Sequence, residues 1–172
     1  MPELVPVLSR DDIHNIVSGL ARKISVDYEG RELVLIGVLK GAFIFLADLT
    51  RNITIPHEID FLRAASYGSG TSSSEKIILT KEVETNLQDK EVLLVEDIID
   101  TGITLAYLVE YIKRFKPAGV KICTLIDKRQ RRQKEMPIDY AGFTAEKGFL
   151  VGYGLDYAEK YRNLPEIYHL KL

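Results

Sequence analysis

At 172 residues, 46% of them apolar and 28% charged, the chain is long enough for a core that needs no disulfide or metal to hold it. A net charge of −2 gives no global positive field aimed at nucleic acid or an anionic membrane, and the single cysteine, Cys123, excludes an intrachain disulfide and a zinc cluster. No apolar stretch reaches membrane-span length, and the start, MPELVPVLSRDDIH, lacks a basic region followed by an apolar core, so one cytoplasmic domain is expected.

Ser9 reads as an N-cap, with Asp11 and Asp12 in the turn that follows. Ile13, Ile16, Val17, Leu20, Ala21 and Ile24 then recur at helical spacing and predict an amphipathic helix over 10–26. ELVLIGVL (32–39) predicts a buried strand, LKGAF a turn, and 42–50 a mostly buried helix. Residues 55–67 alternate loosely, as a strand does, and lead into the one low-complexity stretch, GSGTSSS (68–74). KIILT is a short strand and TNLQDK a turn before VLLVE. From Ile103 the apolar positions Leu105, Leu108, Val109, Ile112 and Phe115 keep helical spacing until Pro117 and Gly119 stop them. VKICTLI is a strand that buries Cys123 as a small hydrophobe, RQRRQKEMP a polar, basic connection, and YAGFTA and FLVGYG two further strands. Short apolar strands alternating with helices predict an α/β fold with a mostly parallel sheet flanked by helices. Ligands of such sheets bind beyond the carboxyl ends of the strands, which singles out VLKG, VEDIIDTG and LIDKR.

The second of these is unusual. EVLLVEDIIDTGITL drives four apolar residues into Glu96, Asp97 and Asp100, then into Thr101-Gly102-Ile103-Thr104 at the head of a helix. An acidic turn at a strand end is often plain turn chemistry. Here, however, the helix N-terminus, the glycine and the hydroxyls are parts of an anion site, while the acids would repel a phosphate on its own. Acids suit neighbouring hydroxyls or a shared cation, so the physics asks for a ligand with a phosphate, paired hydroxyls and Mg²⁺ close together: a phosphorylated sugar.

VLLVEDIIDTGITL resembles the phosphoribosyl pyrophosphate motif of type I phosphoribosyltransferases, and its Glu-Asp-Ile-Ile-Asp form is similar to that of the hypoxanthine-guanine phosphoribosyltransferases. VLKGAF resembles that family's pyrophosphate loop, RAASYGSGTSSS its mobile loop, LIDKR its purine segment, and FLVGYGLDYAEKYRNL its C-terminal region, all in the family's order. The resemblance implies one domain, with a core over about 10–140 and a small hood from the N-terminal residues and about 141–172. It implies a Mg²⁺-dependent transfer of hypoxanthine or guanine onto phosphoribosyl pyrophosphate, giving IMP or GMP and pyrophosphate. It further implies a homodimer or homotetramer, with no membrane and no nucleic-acid partner.

Residue roles follow from the same resemblance. Glu96 and Asp97 hold the ribose hydroxyls, and Asp100 is the general base. Asp100, Thr101, Gly102, Ile103 and Thr104 cradle the 5′-phosphate. Relatives often carry a polar or basic residue where Ile103 stands, so only its backbone contact transfers. Leu39, Lys40 and Gly41, with a cis peptide between the first two, and Arg162 meet pyrophosphate. Lys128 donates to the purine's exocyclic oxygen, Phe149 stacks on the base, Leu150 contacts it through its backbone, and Asp156 completes that region. Asp156, Glu96 and Asp97 offer oxygens to Mg²⁺, and Ser66 and Tyr67 head a lid.

Rival readings stand beside these. Taken alone, Lys40-Gly41 is a turn with a solvated lysine, 68–74 a hairpin loop without a task, Phe149 a core residue and 128–134 a solvated basic face. That basic run also supports a different protein, a nucleotide-sensing regulator of the same fold that binds RNA or DNA. There is no GxxxxGK[ST] motif, and His14, His57 and His169 are scattered without metal-ligand spacing.

Overall fold

Successive residues of the central strands face opposite ways, and both sets are apolar and buried. In a computed structural model describing residues 2–67 and 76–172, the strands β2 (Leu33–Leu39), β5 (Glu91–Ile99) and β6 (Gly119–Lys128) lie side by side and parallel. Leu33, Leu35, Leu93, Val95, Cys123 and Leu125 pack on one face against the helices α1 (Arg10–Asp27) and α2 (Phe43–Asn52). Val34, Ile36, Val92, Leu94 and Ile122 pack on the other, against α3 (Ile103–Lys113). Period-two side chains buried on both faces are what a helix-covered parallel sheet requires. With β3 (Glu58–Tyr67), β4 (Lys76–Lys81) and β7 (Tyr140–Ala145) the sheet has six strands in the order β4-β3-β2-β5-β6-β7, of which only β4 runs antiparallel to its neighbour.

The helices begin and end where local chemistry says they should. The Ser9 hydroxyl accepts from the Asp12 N–H while the Asp12 carboxylate accepts from the Ser9 N–H, a reciprocal capping box. Gly102 precedes α3 with φ of 82°, a left-handed conformation that glycine takes without strain.

A second, antiparallel sheet joins the two ends of the chain: β1 (Glu3–Leu8), β9 (Ile167–Lys171) and β8 (Leu150–Val151), in the order β1-β9-β8. The expected elements shift in several places. β1 and β9 were not legible: Pro6 speaks against a strand, and it is tolerated because β1 is an edge. The expected strand FLVGYG shrinks to β8, since positive φ at Gly152, Tyr153 and Gly154 ends the extended run. β3 starts at Glu58 rather than 55, and α3 stops at Lys113. β7, expected to fall almost wholly in the hood, is instead the far edge of the large sheet, paired parallel with β6. No helix among the described residues is long and apolar enough to cross a membrane.

Candidate active site

The carboxyl ends of β2, β5 and β6 meet at one end of the sheet. β5 carries Glu96 and Asp97 in its last residues, where both acids are half-buried. Burial pushes the Glu96 carboxyl well above the ordinary range, and the neighbouring Asp97 raises it further. Burial likewise pushes Asp97 up to about 6, against the pull of the Ile98 N–H, which donates to Oδ1 at 2.8 Å, and of Arg162. Two acids this poorly solvated are a donor set short of positive charge, suited to hydroxyl donors or a cation.

The expected pyrophosphate loop leans on this pair. Leu39-Lys40 is a cis peptide. A Cβ on Gly41 would collide with the Asp97 carboxylate, and a Cβ on Gly154 would collide with the Gly41 carbonyl. The loop is therefore sandwiched between the acid pair and the C-terminal segment, with no room for a methyl group on either side. From that segment Arg162 donates to the Gly154 carbonyl at 2.7 Å and approaches Asp156 at 3.3 Å and Glu159 at 3.1 Å. Lys40 bonds the other Glu159 oxygen at 2.9 Å.

Beyond the acids, Asp100, Thr101 and Gly102 turn into α3, whose first N–H groups have no partner within the helix. The Thr101 hydroxyl accepts from the Ile103 N–H at 3.3 Å. The Thr101 carbonyl accepts from the N–H groups of Gln133 and Lys134 at 2.8 and 3.0 Å, and a Cβ on Gly102 would meet the Lys134 carbonyl at 2.5 Å. The 132–134 segment thus braces the turn from outside.

The reading of 128–134 as a solvated face holds for most of the run, but not for Lys128 and Arg132. Arg132 is buried, with a side-chain exposure of 4%, and pairs with the equally buried Asp127 at 2.6 Å. It also donates to the carbonyls of Asp100 at 2.9 Å, Ile99 at 3.3 Å and Lys128 at 3.3 Å. One guanidinium therefore ties the β6 end to the β5 end. Arg129 pairs with Asp127 at 3.0 Å and Arg131 with Asp100 at 3.3 Å. Sequence reasoning missed Arg132 and Asp127. The available signal was an acid, Asp127, at the end of a buried strand with a run of arginines just behind it.

A cavity of 190 Å³ is lined by Asp97, Ile98, Asp100, Lys128, Arg131, Phe149, Leu150, Leu155 and Asp156. It gathers six of the predicted residues from three separate segments. Asp100 Oδ1 is buried without a hydrogen-bond partner, an acceptor left free in a polar cavity. Lys128 and Leu150 are buried, whereas Phe149 is 46% exposed and so is not the core residue its sequence context alone predicts. Its ring meets Tyr157 edge-on, with centroids 5.6 Å apart; Tyr157 also escaped the sequence reading. Larger cavities of 370 and 540 Å³ lie elsewhere, so size alone would not have located the site. Ser66 and Tyr67 end β3, where their backbones pair with Ile77 and Lys76. The 68–74 stretch expected to form the lid lies outside the described residues. Among the described residues no three acidic, His or Cys side chains form a ready-made metal cluster.

A helix-covered, mostly parallel sheet with an acid pair and a helix N-terminus at its carboxyl edge defines an α/β protein with its candidate site at the strand ends. The profile described as "Phosphoribosyl transferase domain" matches residues 9–158, and the chain belongs to the phosphoribosyltransferase family. The hypoxanthine phosphoribosyltransferase of Salmonella typhimurium is 44% identical over 153 residues, 88% of this chain and 86% of that protein. A Listeria monocytogenes chain named bifunctional protein TilS/HprT is 45% identical over 165 residues, 96% of this chain and 26% of its own length. The crystal structure of a hypoxanthine-guanine phosphoribosyltransferase from Bacillus anthracis superposes with a TM-score of 0.92 at 42% identity, covering 99% of this chain and 100% of that one.

Proposed function

We propose that the chain joins hypoxanthine or guanine to carbon 1 of phosphoribosyl pyrophosphate, forming IMP or GMP and releasing pyrophosphate. The observation that carries this reading is the 190 Å³ cavity, in which a free Asp100 oxygen, a buried Lys128 and an exposed Phe149 converge beside the acid pair. The bond from carbon 1 to the pyrophosphate oxygen breaks as the bond to one imidazole nitrogen of the purine forms, and the proton carried by the imidazole side of the base passes to Asp100. Glu96 and Asp97 accept from the ribose hydroxyls, and the Thr101–Thr104 turn takes the 5′-phosphate through backbone N–H groups and hydroxyls. Lys40 and Arg162 meet the departing pyrophosphate. Lys128 donates to a 6-oxo group, where adenine presents an amino group instead. Holding the partners aligned in a half-closed cleft supplies much of the rate.

The electron-rich acid pair next to Asp156 fits Mg²⁺ held mostly by substrate oxygens, the usual manner of that ion. Glu96, Asp97 and Asp156 would supply the protein's share, and Mg²⁺ when bound neutralises charge on the leaving pyrophosphate. The same reading expects a homodimer or homotetramer, which sedimentation velocity would size.

The deciding test is a spectrophotometric assay with Mg²⁺ and phosphoribosyl pyrophosphate, offering hypoxanthine, guanine, xanthine and adenine in turn. Turnover of hypoxanthine or guanine is the expected result. No turnover with any base, from folded protein that still binds IMP or GMP, would favour the nucleotide-sensing regulator instead. That alternative drew its support from the basic run, whose Arg129, Arg131 and Arg132 all pair with acids inside this chain.

A further inference from the structure

Residues 157–160 form a tight two-residue turn: the Tyr157 N–H donates to the Lys160 carbonyl and the Lys160 N–H to the Tyr157 carbonyl, both at 3.0 Å. Its two central residues, Ala158 and Glu159, have φ of 51° and 65°. Such positions favour Asn and Gly, and side chains of other L-residues rarely accept them. Backbone held in a disfavoured region marks a place where the surroundings fix a side chain for a purpose. The surroundings here are explicit: Asp156 Oδ2 accepts from the Glu159 N–H at 2.9 Å, and the Glu159 carboxylate is delivered between two cations, 2.9 Å from Lys40 Nζ and 3.1 Å from Arg162 Nη2. Lys40 first, and then Arg162, hold that carboxyl below its ordinary range. Lys40 and Arg162 belong to separate segments, and among the described residues Glu159 is the anion that bridges them.

We propose that Glu159 is a built-in counter-anion that competes with the pyrophosphate group for Lys40 and Arg162, and so sets how tightly the site holds pyrophosphate. The inference rests on the reading of Lys40 and Arg162 as pyrophosphate ligands. Pyrophosphate drawn to the same two cations meets a carboxylate already bonded to both, so the two anions compete, and the carboxylate moves off as pyrophosphate enters and returns as it leaves. Its position allows this, because Glu159 sits at the tip of the turn with its side chain 64% exposed. Asp156 cannot play the same part, since one of its oxygens supports the turn itself.

The probe is inorganic pyrophosphate, and the readout is its dissociation constant by calorimetry on the full chain without added metal, for wild type, Glu159→Gln, Glu159→Asn and Lys40→Ala. Gln keeps the size and loses the charge, and Asn accepts the left-handed backbone and keeps the turn in place. Both should bind pyrophosphate about threefold to tenfold more tightly than wild type, the scale of exposed charge pairs and like-charge contacts. In steady-state assays the same variants should show stronger product inhibition by pyrophosphate and a lower KM for phosphoribosyl pyrophosphate. Unchanged or weaker pyrophosphate binding in both variants, with Lys40→Ala binding less tightly than wild type, would overturn the proposal alone. Lys40→Ala binding as tightly as wild type would overturn the ligand assignment beneath it. Because the readout is binding, neither outcome depends on which purine is used.

Discussion

Asp100 and Asp97 stand three residues apart, yet their surroundings set them different tasks. Asp100 offers a buried, unpartnered oxygen to the cavity, while its other oxygen faces Arg131 at 3.3 Å. Asp100→Asn removes the proton acceptor and keeps the shape, so turnover should fall at least about a hundredfold with an unchanged melting temperature; an intact kcat would remove Asp100 from the mechanism. For Asp97 the prediction concerns pH. Its carboxyl is raised in the fold to about 6 from an ordinary value of 3.8. The native state therefore keeps this proton over a range in which the unfolded chain has lost it. Stability is unaffected below the ordinary value, falls as pH climbs toward 6, and stays lowered above. Asp97→Asn should accordingly raise stability at pH 8 by about 1–3 kcal/mol and leave it unchanged near pH 3.5. It should also weaken phosphoribosyl pyrophosphate binding, because an acceptor-only oxygen becomes an amide donor. Denaturant melts at the two pH values would show the difference, and equal stabilisation at both would contradict the burial argument.

At the scale of elements, three loops from three strands are locked by few groups. Arg132 joins the β6 end to the β5 end inside the protein, and without it Asp127 keeps only the exposed Arg129 as a cation while the Ile99, Asp100 and Lys128 carbonyls lose a donor. Arg132→Ala should lose about 1–3 kcal/mol of stability. Arg132→Lys keeps the charge but not the fork that reaches several acceptors, and should fall between Ala and wild type; if Ala melts like wild type, the brace carries no weight. Gly41→Ala puts a methyl group where the Asp97 carboxylate lies, so it should abolish turnover by separating the pyrophosphate loop from the acid pair. These contacts mark the limit of what the sequence conveyed. Short apolar runs in VLLVE and VKICTLI made the sheet legible, because burial on both faces writes itself into composition. The acidic motif made the candidate site legible, because its residue types conflict with a simple turn. The need for glycine at position 41 could not be read, since it depends on segments brought together only by folding; the pairing of Asp127 with Arg132, five residues on, was within reach of the sequence but depends on the turn that aims one at the other. β1 and β9 escaped for a related reason: each is short, and they pair across almost the whole length of the chain.

For the molecule as a whole, a bound product should stabilise the fold by mass action. At a hundredfold excess over its dissociation constant, IMP or GMP should add about 2.7 kcal/mol, raising Tm by about 5–10 °C. AMP should give a smaller shift, because its amino group faces the Lys128 ammonium. A thermal shift series would check this, and an AMP shift equal to that of GMP would remove Lys128 as the discriminating group.

The pairing of β1 with β9, which sets Glu3 opposite Lys171, has a consequence for the order in which the protein is built. Contacts between residues far apart in sequence carry the largest loop-closure cost and form late. The large sheet, with the acid pair and the phosphate turn, closes over shorter separations than the small one. The small sheet carries Leu150, follows directly on Phe149, and is flanked by the segment that holds Arg162. A refolding chain should thus acquire the half proposed to take the sugar phosphate before the wall proposed for the purine and before Arg162. In stopped-flow refolding, recovery of base binding should trail the burial of the central core.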